Sequence, residues 1–459
     1  MEQITKPHCG ARLDRLPDCR WHSSMFAIVA FGLLVCWSNA VGGLILAQLK
    51  ALGWTDNSTT ATFSAITTAG MFLGALVGGI IGDKTGRRNA FILYEAIHIA
   101  SMVVGAFSPN MDFLIACRFV MGVGLGALLV TLFAGFTEYM PGRNRGTWSS
   151  RVSFIGNWSY PLCSLIAMGL TPLISAEWNW RVQLLIPAIL SLIATALAWR
   201  YFPESPRWLE SRGRYQEAEK VMRSIEEGVI RQTGKPLPPV VIADDGKAPQ
   251  AVPYSALLTG VLLKRVILGS CVLIAMNVVQ YTLINWLPTI FMTQGINLKD
   301  SIVLNTMSMF GAPFGIFIAM LVMDKIPRKT MGVGLLILIA VLGYIYSLQT
   351  SMLLITLIGF FLITFVYMYV CYASAVYVPE IWPTEAKLRG SGLANAVGRI
   401  SGIAAPYAVA VLLSSYGVTG VFILLGAVSI IVAIAITTIG IETKGVSVES
   451  LSIDAVANK

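Results

Sequence analysis

One arginine stands where a guanidinium is costly. Arg118 is flanked by the apolar stretches 113–117 and 119–136, and a cation inside a bilayer-length apolar run faces water or a partner. A substrate carboxylate can engage it through two parallel hydrogen bonds. The other reading is that Arg118 snorkels outward or caps helix ends. Polar side chains at comparable depth are Asn39 and Gln280, which lie 241 residues apart; Tyr281 and Asn285, close to Gln280 in sequence, and Asn157 and Trp158 in a separate apolar run are further candidate contacts. Amides and phenols also serve hydroxyl groups, so a sugar or polyol is a second reading of the same set. Glu95 and His98 are three residues apart, hence on one helix face. They could relay a proton, since histidine changes charge near neutral pH, or form a satisfied structural hydrogen bond.

These residues must be positioned by membrane helices. The 459 residues are 56% hydrophobic and 12% charged, against about 25% charged in soluble domains. Apolar runs bounded by charges, Gly and Pro predict twelve spans: 25–49, 62–81, 90–107, 113–139, 152–173, 182–201, 266–292, 302–323, 331–348, 352–378, 390–413 and 418–439. Each is near the roughly 20 residues that cross a 30 Å core. With both termini cytoplasmic, 28 of the 33 Lys and Arg fall on the inner side, counting Arg200 at the edge of span 6. Three fall outside (Lys50, Arg181, Lys299), and Arg118 and Arg399 lie within spans. That asymmetry sets the orientation. On this reading Arg118 sits about 9 Å from the outer end of span 4. Asn39 and Gln280 sit about 21–22 Å from their inner helix ends, and Glu95 and His98 about 8–12 Å from theirs. Arg118, Asn39 and Gln280 are therefore expected to line the outer half of one central cavity. The segments are an N-terminus 1–24, a six-helix half 25–201, a cytoplasmic loop 202–265, a second half 266–440 and a tail 441–459.

The halves repeat. Asp83 and Asp324 are 241 residues apart, and Glu138 and Glu380 are 242 apart, so two separate signatures share one offset. Duplicated halves can rock about a central site. Gly79 and Gly86 are expected to form a tight turn, with Asp83 accepting from a helix N-terminus and Arg87 and Arg88 pairing with acids. Glu138 with Arg145, and Glu380 with Lys387, repeat a seven-residue acid-to-base spacing suited to an inner gate. Asp324, Arg328, Arg389 and Arg399 complete the expected gating set, Arg399 with substrate contact as a second role. The basic residues form no stripe interleaved with stacking aromatics, which argues against nucleic-acid binding. The seven cysteines have no CxxC pair, so neither a metal site nor a disulfide framework is expected.

The motifs resemble the major facilitator superfamily and its sugar porter-like branch over nearly the whole chain. Their carriers are Gly79 to Arg88, Arg118-x-x-x-Gly122-x-Gly124-x-Gly126, Glu138 to Arg145-Gly146, Pro203-Glu204-Ser205-Pro206-Arg207-Trp208-Leu209, Pro379-Glu380 to Arg389-Gly390, and Glu442-Thr443-Lys444-Gly445. The resemblance implies an all-α membrane protein of twelve transmembrane helices in two pseudo-symmetric halves, working as a rocker-switch carrier. Asn285 to Phe291 is similar to bacterial inner membrane metabolite and organic-ion carriers. Two departures stand out. The glutamine-rich helix 7 pattern of hexose carriers survives only in part in 277–285. Proton-coupled members pair a helix 1 aspartate with the helix 4 arginine, whereas 37–43 here contain no acid.

The expected protein is thus a secondary carrier of a small organic acid, with a sugar or polyol carrier and proton symport as the alternative. It is expected to be monomeric, without cofactor, in a bacterial inner membrane, with protons as a second partner. A membrane enzyme would carry a P-loop, HExxH or nucleophile elbow, and none is present. A transport-fold sensor would add a signalling domain, whereas 14 residues follow Gly445.

Overall fold

A computed structural model describes residues 7–17, 19–35, 37–140, 145–240, 253–323, 325–382 and 386–444, without the side chains of 133, 134, 137, 145, 146, 387 and 388. Among these residues, nine helices are long and apolar enough to cross a membrane. The last of them, Lys387–Ile439, holds spans 11 and 12, divided where Gly417 adopts φ 65°. Spans 1 and 5 are each broken and complete the twelve. Span 1 is Arg20–Val35 and Gly42–Ala51, with a non-helical turn over 37–41. Span 5 is Arg145–Asn157 and Ser159–Leu170. Ile80, Phe107, Ile189 and Ile431, all about 60% exposed, belong to an apolar surface far larger than water tolerates.

The chain forms two compact units. The first is Met1–Ser38, Gly70–Ser159 and Leu184–Gly246; the second is Asn39–Ala69, Tyr160–Gln183 and Lys247–Lys459. Within each, one helix pair approaches through glycine. A Cβ at Gly70 would lie 2.3 Å from the Phe119 carbonyl oxygen, and one at Gly74 2.0 Å from that of Val123. In the second unit Gly311 meets Phe360 at 2.5 Å and Gly315 meets Thr364 at 2.2 Å. All four pairs are related by the offset of 241, so the duplication extends from sequence to packing. Gly79 sits inside the helix Asn57–Thr85. The turn after it belongs to Gly86 alone, at φ 98°.

A small polar subdomain belongs to the first unit. The helix Tyr215–Thr233 buries Ala218, Met222, Ile225 and Val229 against Cys9, Leu13, Leu16, Trp208 and Leu209. Arg12 bonds Glu219 and Glu226, the latter at 2.7 Å, and Arg15 also reaches Glu226 at 2.7 Å. Hydrogen bonding from Arg12 lowers the Glu219 carboxyl. For Glu226, burial raises the carboxyl but the bonds from Arg12 and Arg15 outweigh it, and the net direction is down. Burial, with Glu210 beside it, pushes the Cys9 thiol up to about 12. A carboxyl depressed in the folded state stabilises fully above its free value of 4.5 and loses that contribution as pH falls through the folded value. Docking of the helix Cys9–Asp14 is therefore expected to be constant from neutral pH to about 5 and to weaken in more acid solution, as read by Trp208 fluorescence. Arg12→Ala should speed maleimide modification of Cys9 at neutral pH about tenfold, the effect of losing 1–2 kcal/mol of charged hydrogen bonding. A Cys9→Ser background supplies the blank, and an unchanged rate would remove the ionic docking.

Candidate functional site

In the first unit a buried polar chain crosses spans 3, 1 and 4. The helix Arg87–Ala106 presents Glu95 and His98, both fully buried, with Nδ1 3.4 Å from Glu95 Oε2. His98 Nε2 lies 2.7 Å from Ser38 Oγ in the turn that breaks span 1. Because that turn is not helical, the Ser38 carbonyl is available to a side chain, and Arg118 NH1 donates to it at 2.7 Å. Arg118, 2% exposed on the helix Met111–Tyr139, also contacts Met121 Sδ at 3.4 Å. Asn157 bonds its own helix at the Ser153 carbonyl, 2.8 Å away, and Trp158 is half-buried at the break of span 5.

The second unit holds the other expected residues. Asn39, Gln280 and Tyr281 are half-buried, and Asn285 is buried at a point where a Cβ on Gly43 would meet its carbonyl at 2.9 Å. The helix Gly260–Thr293 carries 280, 281 and 285. Beside it, Tyr160 meets Tyr367 edge to face at 5.4 Å, and the Tyr367 hydroxyl is buried next to Tyr160 and Gln280. Asn305 donates to Ser164 Oγ at 3.1 Å while its Oδ1 is unpartnered. Arg399, on the helix Lys387–Ile439, is half-buried and its NH1 has no hydrogen-bond partner. It lies between Gly398, whose Cβ would stand 3.0 Å from Asn277 Nδ2, and Gly402, whose Cβ would stand 3.1 Å from the Tyr281 ring. Sequence reasoning missed Ser38, Tyr160, Tyr367 and Asn305. Tyr160 is two residues past Trp158, and Tyr367 lies in the aromatic run 360–372, which reads as packing surface.

Six of the expected gating residues, Asp83, Arg87, Arg88, Glu138, Arg328 and Glu380, belong to one motif that occurs twice. In the first unit Arg87 pairs with Asp83 at 2.6 Å and Glu138 at 2.8 Å, and Ser205 Oγ also donates to Glu138. Glu204 Oε1 accepts from the backbone N–H groups of Arg87 and Arg88, at 2.7 and 3.3 Å, and so caps span 3. Tyr139 donates to the Pro203 carbonyl at 2.6 Å. In the second unit Arg328 bonds Glu380 at 3.0 and 3.1 Å, Thr443 Oγ donates to Glu380 at 2.6 Å, and Tyr377 donates to the Ile441 carbonyl at 3.0 Å. Glu442 accepts from the N–H groups of Arg328 and Lys329 at 2.7 and 3.1 Å. Burial raises the Glu442 carboxyl, but those backbone donors outweigh it and hold it low. Thus Glu204 takes the helix-terminus role expected of Asp83. The Asp83 backbone carbonyl instead accepts from Trp208 Nε1 at 2.7 Å and from Arg212. Arg88 donates to the Trp199 carbonyl at 2.5 Å, and Arg389 stacks over Tyr254 at 5.2 Å. Asp324 and the side chains of Arg145 and Lys387 lie outside the described residues. The described bases opposite Glu138 and Glu380 are Arg87 and Arg328.

The family model of the Major Facilitator Superfamily matches residues 26–406. The inner membrane metabolite transport protein YdjE of Escherichia coli is 44% identical over 98% of this chain and 99% of its own length. The niacin transporter NiaP of Acinetobacter baylyi is 26% identical over 96% and 99%. An inward-open structure of the xylose transporter XylE from E. coli superposes with a TM-score of 0.74 at 16% identity, covering 94% of this chain and 99% of that one. With the duplicated six-helix pattern and the paired Arg–Glu motifs, these matches place the chain as a multi-pass membrane transporter that belongs to the major facilitator superfamily.

Proposed function

We propose that the protein is an alternating-access carrier of a small organic acid, with both termini cytoplasmic, and that Arg399 is the partner of the substrate carboxylate. The observation that carries this reading is the unpartnered NH1 of Arg399. Arg399 is twelve residues into its helix, about 18 Å along it and so near mid-membrane. A guanidinium there without a partner is costly, and a carboxylate from the substrate satisfies it. Arg118 already donates to Ser38, which favours Arg399 for the ligand and leaves Arg118 to hold the break in span 1. Relatives support an acid: one is named a niacin transporter and another an organic cation/carnitine transporter, and niacin and carnitine both bear a carboxylate. The amide and phenol set of Gln280, Tyr281 and Tyr160 favours the second reading, a sugar or polyol, as do relatives named for arabinose and inositol.

Thermal stabilisation of the purified protein by nicotinate, carnitine, xylose and inositol distinguishes the two. A ligand at 100 times its Kd adds about 2.7 kcal/mol to folded-state stability. Carboxylates are expected to raise the melting temperature of wild type. In Arg399→Gln their affinity should fall about 10- to 100-fold, the loss of a charged hydrogen bond, with Arg399→Lys intermediate. Stabilisation by sugars alone, equal in wild type and Arg399→Gln, would overturn the acid reading.

A further inference from the structure

Glu95 is an acid buried to zero exposure in an apolar span, and its Oε1 has no hydrogen-bond partner. Its Oε2 has a single contact, His98 Nδ1 at the long distance of 3.4 Å. An ionised carboxylate so poorly solvated is expensive, and such groups bind a proton or acquire a cation instead. The cation available is the neighbouring imidazole. The glycine motif of span 4 packs directly against the backbone that carries that ring: a Cβ on Gly124 would lie 3.0 Å from the His98 backbone nitrogen.

We propose that Glu95 and His98 together form the proton-binding site of this carrier, and that Ser38 transmits their protonation to Arg118. The site stands in a different place from the helix 1 aspartate of proton-coupled relatives, which this chain lacks. The charged and titratable groups that face it are few. Span 4 contributes Arg118 and Cys117. The described residues of span 1 from 23 to 49 carry no charged or titratable side chain. Span 2 has no charged residue between Asn57 and Gly82, and span 6 has none between Val182 and Trp199. Arg118 is linked to the pair by hydrogen bonds, through Ser38.

The proton count is simple. With Glu95 ionised and His98 neutral, the pair and Arg118 sum to zero charge. One added proton brings the trio to +1, held as imidazolium with carboxylate or as imidazole with carboxylic acid. In the neutral ring, Nδ1–H points to Glu95 and Nε2 accepts from the Ser38 hydroxyl. In the imidazolium both ring nitrogens donate, so the Ser38 hydroxyl must turn from donor to acceptor. Ser38 offers its carbonyl to Arg118 from the same residue, 2.7 Å away. Protonation of a helix 3 pair therefore acts on the turn that breaks span 1, the segment whose next residue is Asn39.

Infrared titration of the full-length protein in lipid vesicles tests this without any substrate, so its outcome is independent of the organic-acid reading. As pH falls, wild type is expected to show a carboxyl band change, a protonated-carboxyl carbonyl band or a shifted carboxylate stretch as imidazolium forms beside it, absent in Glu95→Gln and displaced in frequency in Glu95→Asp. The absence of any such change in wild type would overturn the proposal. His98→Gln should move the midpoint of the band change by about one pH unit or more, a tenfold change in proton affinity. Ser38→Ala should keep the band but shift the midpoint by less. A band that persists in Glu95→Gln overturns the assignment. Should Glu95→Gln fail to fold, an unmoved band in Glu95→Asp and an unmoved midpoint in both His98→Gln and Ser38→Ala do the same.

Discussion

Valine at Gly74 or Gly315 will destabilise the carrier by about 3 kcal/mol or more, at the upper end of what overpacking costs, while valine at Gly79 will change stability by a small fraction of that. Gly74 and Gly79 lie on the same helix, and the difference comes from what each faces. A side chain at Gly74 drives into the Val123 carbonyl at 2.0 Å and one at Gly315 into the Thr364 carbonyl at 2.2 Å, whereas nothing lies within 4 Å of a Cβ at Gly79. Backbone cannot move aside as a flexible side chain can, so the helices must separate along their length. In membranes, where lipid is as apolar as leucine, close packing through small residues is a main source of helix association. Loss of folded yield and a lowered melting temperature in both valine variants, with Gly79→Val near wild type, is the expected pattern. Equal effects at Gly79 and Gly74 would show that valine acts through helix propensity alone.

The same glycines show how far the sequence could be read. Twelve spans, their division into halves and the 241-residue offset follow from apolar runs and four acidic residues. The offset proved more general than those residues suggested, because it also relates Gly70 to Gly311 and Gly74 to Gly315. The breaks in spans 1 and 5 were only partly legible: Ser38-Asn39 and Gly156-Asn157 interrupt the apolar runs, but Ser, Asn and Gly also occur inside unbroken spans, and in span 1 the turn is engaged by Arg118, a partner 80 positions away. Ser38 escaped for the same reason, being one serine in an apolar run whose role comes from two residues 60 and 80 positions away. The segments Pro203-Glu204-Ser205 and Ile441-Glu442-Thr443 were each visible as motifs. That they are one structural element used twice was hidden, since they share a glutamate and a hydroxyl but stand 238 residues apart rather than 241.

That element supports the second large effect. Arg328→Ala is expected to cost about 2–3 kcal/mol, somewhat under the 3–5 kcal/mol for breaking a fully buried pair, because the Glu380 side chain is 34% exposed while that of Arg328 is 7% exposed. A double-mutant cycle with Glu380→Ala, measured by unfolding in mixed detergent micelles, should return a coupling above about 1 kcal/mol. The exposed pair Arg214 and Glu217, at 48% and 56%, should show no measurable coupling. A cycle at Arg328 and Glu380 no larger than this control would mean that Thr443 and Glu442 hold the helix ends without the ion pair. Arg87 and Glu138, with side chains 17% and 20% exposed, are the counterpart in the first unit. Each pair closes within its own unit, so the losses from Arg87→Ala and Arg328→Ala should add to within about 0.5 kcal/mol, as for sites without shared partners. Additivity would identify the two copies as staples that keep each half rigid during transport. A deficit or excess well beyond that margin would mean that the motifs also sense each other, and would move them from scaffold to gate.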